Sequence, residues 1–114
     1  MHIYIGIVQK GTKRAAELGF PTVNIPLPDR SVSGVYVARV ALGDEGYPAA
    51  AFADQKRNVL EAHVLDFSDE LYGKEVTIEL WKKIRDDMQF SDDTALRAAI
   101  EGDIAKVRAY FTDV

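Results

Sequence analysis

KEVTIELW, residues 74–81, puts Val76, Ile78 and Leu80 on one side of an extended chain and Glu75, Thr77 and Glu79 on the other. That period of two is what an antiparallel strand needs when one face rests on a core and the other meets water. Three stretches upstream share it. HIYIGIV, residues 2–8, aligns Ile3, Ile5 and Ile7 on one face and is expected to lie half-buried on the core. GVYVARVAL, residues 34–42, sets Val35, Val37 and Arg39 against Tyr36, Ala38 and Val40, and NVLEAHVLDF, residues 58–67, groups Leu60, Ala62 and Val64. Glu61 and His63 must then project together from the opposite face.

After residue 90 the period changes. Leu96, Ile100, Ile104, Val107 and Phe111 recur at steps of four, four, three and four, the spacing of one helical face that packs on a sheet. Ser91 is expected to cap this helix, with Asp92 and Asp93 in its first turn favouring the positive end of the helix dipole. Gly102 is its weak point, at a cost of roughly 1 kcal/mol relative to alanine. Five or six short strands and one terminal helix are too few for an immunoglobulin-like sandwich and show no βαβ alternation. The expected fold is mainly β, a small antiparallel barrel with a C-terminal α-helix.

With 114 residues the chain is read as one domain over 1–114. Apolar residues make up 47% and charged ones 28%, enough burial to offset chain entropy. DEGYPAAAFADQKRN, residues 44–58, is the one region of looser composition and reads as a loop inside the domain. A formal charge of -4 argues against a nucleic-acid or anionic-membrane partner. No stretch approaches the ~20 apolar residues that span a bilayer, and the N-terminus has no basic leader before an apolar run. The absence of cysteine excludes disulfides, thiolate nucleophiles and Cys-ligated zinc. A soluble, cytoplasmic monomer is the expectation.

Three stretches can carry chemistry, and each has two readings. GIVQKGTKR, residues 6–14, is either a strand entering a solvated turn, the commoner case, or a loop whose backbone N–H groups and cations cradle phosphates. In GFPTVN, residues 19–24, Gly19 and Pro21 turn the chain into an extended segment, where Thr22 and Asn24 stand two apart on one face. They either satisfy turn backbone groups or offer two neutral oxygens to Mg²⁺, which completes its shell with water and phosphate oxygens. Glu61 is a solvated strand residue or a general base, depending on whether a hydroxyl comes within reach. His63 reads as its hydrogen-bonded neighbour, since two histidines are too few for a His-based metal site.

Taken in order, GIVQKG, LGFPTVNI, GVY, EAHVLDF, LYG and IRDDMQF followed by a helix resemble the riboflavin kinase family over nearly the whole chain. LGFPTVNI is the most specific piece. The resemblance implies a six-stranded Greek-key barrel with a C-terminal helix, and Mg²⁺-dependent transfer of the ATP γ-phosphate to riboflavin, giving FMN. It implies that Thr22 and Asn24 bind Mg²⁺ and nucleotide phosphates, and that Glu61 is the base for the ribityl 5′-hydroxyl. It makes residues 6–19 a flap over the nucleotide, with Gly6, Val8, Gly11, Lys13, Arg14 and Gly19 among its binding residues, and it sets Arg85 and Phe90 beside the flavin. The chain departs from the family at Ala15 and Ala16, where a Gly-Arg pair is usual, and in its short connection between Pro48 and Glu61. The alternative function is a flavin-binding module of the same fold that has lost phosphoryl transfer. The adenylyltransferase module of many bacterial relatives is not expected, and FAD synthesis is not implied.

Overall fold

In a computed structural model, residues 1–10, 19–20, 22–67 and 69–112 are described. Six strands form one antiparallel sheet: β1 (His2–Ile7), β2 (Val23–Pro26), β3 (Gly34–Leu42), β4 (Glu45–Asp54), β5 (Val59–Val64) and β6 (Glu75–Arg85). Helix α1 (Asp93–Thr112) follows. The spatial order is β1-β6-β3-β4-β5-β2. β3, β4 and β5 are joined as consecutive hairpins and β6 returns beside β3, the Greek-key arrangement. Gln9 bridges Asn24, its N–H donating to the Asn24 carbonyl at 2.8 Å, so the sheet's two edges meet and the barrel is nearly closed. The expected architecture is the observed one.

The opening stretch behaves as its period requires. Val76, Ile78 and Leu80 are buried in the barrel, while Glu75, Thr77 and Glu79 turn outward. β6 runs four residues further than that motif, to Arg85. In β5, Leu60, Ala62 and Val64 are buried, leaving Glu61 and His63 on the outer face.

β1 corrects an expectation. Ile3, Ile5 and Ile7 are exposed by 49–65%, and the opposite face, with Tyr4, Gly6 and Val8, turns inward. Closure of the barrel explains the choice. A Cβ on Gly6 would stand 2.9 Å from the Ile25 Cβ, so only the glycine face lets β1 approach β2. The Tyr4 hydroxyl on that face donates to Asp29 at 2.7 Å.

The segment read as a loop, residues 44–58, is mostly strand β4 and its turn into β5. Its alanines are what a crowded position between two strands accepts, since Ala49, Ala51 and Ala53 are buried to 1% or less. Pro48 is tolerated because its carbonyl accepts from Leu65 N–H just beyond the end of β5, where that ladder is over.

β3 has apolar residues on both faces because both are covered. Ala38 and Val40 enter the barrel core, whereas Val37 joins Leu65 and Val107 in a second cluster under α1. The helix cap lies one residue later than expected. Asp92, not Ser91, receives the Ala95 N–H on its carboxylate at 2.8 Å, the contact that defines an N-cap. No helix among the described residues is long and apolar enough to cross a membrane.

Candidate active site

The register of the β2–β5 ladder sets Asn24 directly opposite Glu61. Cross-strand partners share a face, with Cβ atoms about 5 Å apart, so the amide and the carboxylate are neighbours outside the barrel core. Asn24 is only 4% exposed although it points away from that core. Its Nδ2 lies 3.5 Å from the Thr22 Oγ1, and its Oδ1 is buried with no hydrogen-bond partner among the described residues. A carbonyl oxygen left in that state costs about 1–3 kcal/mol, which a ligand or ion would return.

Glu61 is 13% exposed in its side chain. Burial pushes its carboxyl above the ordinary range, and the nearby Arg57 cation opposes that shift. Arg57 lies in the tight turn between β4 and β5. Its Nε donates to Asp54 Oδ2 at 2.6 Å and its Nη2 lies 3.5 Å from Glu61 Oε2. Asp54 also receives the N–H groups of Lys56 and Arg57 at 3.0 and 3.2 Å, and Asn58 completes the turn at φ 55°. His63 lies beside Phe20, with ring centroids 5.7 Å apart in an edge-to-face contact.

Phe20, Asp54, Arg57, Glu61 and His63 line one side of a cleft of roughly 390 Å³ between the barrel and α1, and Asn24 sits behind Glu61 in the ladder. Thr22, Glu61 and His63 lie on the barrel side, and Leu96 and Ile100 of the helix form another wall. Arg85 and Phe90 stand there too, the guanidinium 5.7 Å from the ring centroid. Arg85 is not available as a free cation, because its Nε and Nη2 donate to the two carboxylate oxygens of Asp103 at 2.9 Å each. The pair ties β6 to α1, with Phe90 alongside. Thr22 also lines a second cavity of roughly 170 Å³, together with Val8, Phe67 and Tyr72. The threonine therefore stands between the two spaces.

Matching a family model described as riboflavin kinase, residues 2–111 account for both the barrel and its helix. The chain belongs to the riboflavin kinase family. A bifunctional riboflavin kinase/FMN adenylyltransferase from Pseudomonas fluorescens is 35% identical over 91% of this chain and 36% of its own length. The same bifunctional protein from Mycoplasma pneumoniae is 36% identical over 93% of the chain and 41% of its own. The chain thus spans between 36% and 41% of the length of these two relatives. A crystal structure described as a macrolide-efflux protein from Streptococcus pneumoniae superimposes with a TM-score of 0.78 at 27% identity, over 93% of this chain and 36% of that one.

Within this riboflavin kinase fold, the site residues expected from sequence divide into three groups. Thr22, Asn24, Glu61, Arg85 and Phe90 surround the cleft or border residues that do. Gly6 and Val8 belong to the extended β1 segment, which continues through Gln9, so the connection to Gly19 begins later than Gly6. Gly19 has φ 94°, a conformation suited to glycine at the entry to the Thr22 segment. Gly11, Lys13 and Arg14, with Ala15 and Ala16, lie outside the described residues.

Sequence reasoning missed Asp54, Arg57 and Asp103. Asp103 had a signal: Ile100, Asp103 and Val107 are three and four apart, which places an acid inside the apolar stripe. Asp54 ends β4 and Arg57 lies in the turn after it, where no periodicity marks which side chains meet.

Proposed function

We propose that this protein is a riboflavin kinase, catalysing Mg²⁺-dependent transfer of the ATP γ-phosphate to the 5′-hydroxyl of riboflavin to give FMN. The observation that carries the reading is the Asn24–Glu61 register, with a buried Oδ1 that has no hydrogen-bond partner among the described residues beside a carboxyl raised by burial. Phosphoryl transfer asks a protein for little more than charge neutralisation, alignment and a base near the attacking hydroxyl. Thr22 Oγ1 and Asn24 Oδ1 are two neutral oxygens, a donor set that fits Mg²⁺ because that ion keeps water and phosphate oxygens as its other ligands. When bound there, the ion neutralises phosphate charge. Glu61 orients the 5′-hydroxyl and accepts its proton as the oxygen bonds to phosphorus. Its burial brings its basicity closer to neutral pH than an exposed carboxylate's, as a general base requires. The cleft with Phe90, Leu96 and Ile100 offers apolar surface to the flavin ring, and Thr22, bordering both cavities, stands where flavin and nucleotide would meet. We read 1–114 as one catalytic domain acting as a monomer.

Purified protein incubated with riboflavin, Mg²⁺ and ATP should form FMN, followed by chromatography. Glu61→Gln should lower kcat by about 10²-fold or more and change riboflavin affinity by less than about threefold, since a base acts in the transition state. Absence of FMN at high enzyme concentration with any nucleoside triphosphate would refute the kinase. Tight riboflavin binding without turnover would instead favour a flavin-binding module.

A further inference from the structure

We propose that Arg57 is a further catalytic residue, which turns from Glu61 to the transferred phosphate and neutralises its charge in the transition state. The inference rests on the kinase reading above, with Glu61 as the base.

Distance sets the argument. A base must lie within about 3.2 Å of the hydroxyl it deprotonates, and the attacking oxygen within about 3.5 Å of phosphorus. The γ-phosphorus must therefore come within about 7 Å of the Glu61 carboxylate. Arg57 Nη2 is 3.5 Å from Glu61 Oε2 already, and the guanidinium lines the same cleft. A phosphate placed for transfer to a Glu61-bound hydroxyl thus arrives within reach of that side chain. Arg85 is committed elsewhere, its Nε and Nη2 to Asp103 and its Nη1 to the Asp86 carbonyl.

The turn keeps the movement small. Asp54 holds the Lys56 and Arg57 backbone N–H groups on Oδ1 and the Arg57 Nε on Oδ2 at 2.6 Å, so the buried carboxylate keeps its partners while only the Nη end of the guanidinium changes hands. The Nη2–Glu61 contact is long at 3.5 Å, and the Arg57 side chain is 39% exposed. A phosphoryl group of higher charge offers the planar fork two oxygens in place of one distant carboxylate oxygen.

The base keeps its other neighbours during the exchange. Around Glu61 stand Arg57 and Asp54 from the turn and β4, His63 on its own strand, and the uncharged Asn24 and Phe52 in register on either side. Of these, Arg57 is the cation paired with the Glu61 carboxylate, its Nη2 3.5 Å from Oε2. The ribityl oxygen bonds to the γ-phosphorus, the bond from that phosphorus to the bridging oxygen breaks, Glu61 holds the hydroxyl proton, and ADP leaves. Arg57 gains and loses no proton.

The test compares Arg57→Gln and Arg57→Lys with the wild type. The first readouts are kcat and the KM values for riboflavin and Mg-ATP. The second is affinity for Mg-ADP alone and for Mg-ADP with aluminium fluoride, which mimics the transferring group, each with riboflavin present. Arg57→Gln should lower kcat by about 10²- to 10³-fold, the range for removing a group aimed at transition-state charge. It should weaken the aluminium fluoride complex by a similar factor and Mg-ADP by less than about threefold. Arg57→Lys keeps a cation for Asp54 and should fold, but lacks the fork, and its kcat should fall about tenfold. A folded Arg57→Gln protein with kcat within about threefold of wild type overturns the proposal, as does equal weakening of both nucleotide complexes. Should the glutamine variant not fold, wild-type kcat in Arg57→Lys overturns it. If the wild type forms no FMN, the kinase reading fails and the proposal with it; wild-type turnover with an unaffected Arg57 variant removes this proposal alone.

Discussion

Glu61 answers to two opposed requirements, and the conflict is measurable without an assay. Its folded-state carboxyl titrates above the ordinary value of 4.5 because burial disfavours the charged form. The folded state therefore binds this proton more tightly than the unfolded chain. Its contribution to stability is fully present below about pH 4.5 and is lost as the pH rises through the raised folded value. At neutral pH the ionised side chain is a cost that the fold bears. Glu61→Gln removes the charge, so the variant should be more stable than wild type at pH 8, with the advantage shrinking toward pH 4. Urea titrations at the two pH values decide it, and a variant less stable at pH 8 would mean that the Arg57 contact outweighs burial. Glu61 was legible in the sequence because alternation in NVLEAHVLDF fixes which residues face away from the core. Its environment was not. The pairing with Asn24 depends on the register of strands far apart in the chain, and the Asp54–Arg57 contact depends on the conformation of a four-residue turn.

At the scale of elements, the sequence is most informative where a single period operates. β5, β6 and α1 each show one, and each forms as expected. The exceptions have physical causes. β1 alternates as cleanly as β6, but periodicity identifies two faces without saying which one is inside; the closing contact between Gly6 and Ile25 makes that choice. β4 has little pattern because its inward positions need to be small. In α1 the expected weak point is real, since Gly102 lies in the helix interior and is exposed, with nothing within 4 Å of where a Cβ would stand. Gly102→Ala should therefore stabilise the protein by about 0.5–1 kcal/mol, through helix propensity and a less free unfolded chain. Thermal melts should show a raised Tm with riboflavin affinity unchanged, because Gly102 lies outside the cleft lining. A lowered Tm would mean that the helix interior at this point is not in the conformation described.

For the whole molecule, the decisive relation is between two apolar clusters of unequal size. The barrel core contains Ile25, Leu60 and Ile78, all fully buried, among many buried residues contributed by the strands. The cluster under α1 has only Val37, Leu65 and Val107 as its buried members. Trp81 extends it, its ring 5.4 Å from Phe111 and 6.2 Å from Tyr110. Such a small contact leaves the two-pronged Arg85–Asp103 pair as a main fixture of the helix, with Asp103 only 7% exposed in its side chain. The same helix supplies one wall of the cleft through Leu96 and Ile100, so under the proposed flavin-binding role docking and ligand binding would draw on a single contact. Removing one partner of a buried pair strands the other charge and costs about 3–5 kcal/mol. Asp103→Ala should lose about that much stability in urea titrations, and at low temperature, where the barrel stays folded, riboflavin should bind at least about tenfold more weakly. Asp103→Asn, which keeps an acceptor for Arg85, should lose less of both. If Asp103→Ala loses stability but binds riboflavin normally, the helix is dispensable to the cleft and the flavin rests on the barrel alone.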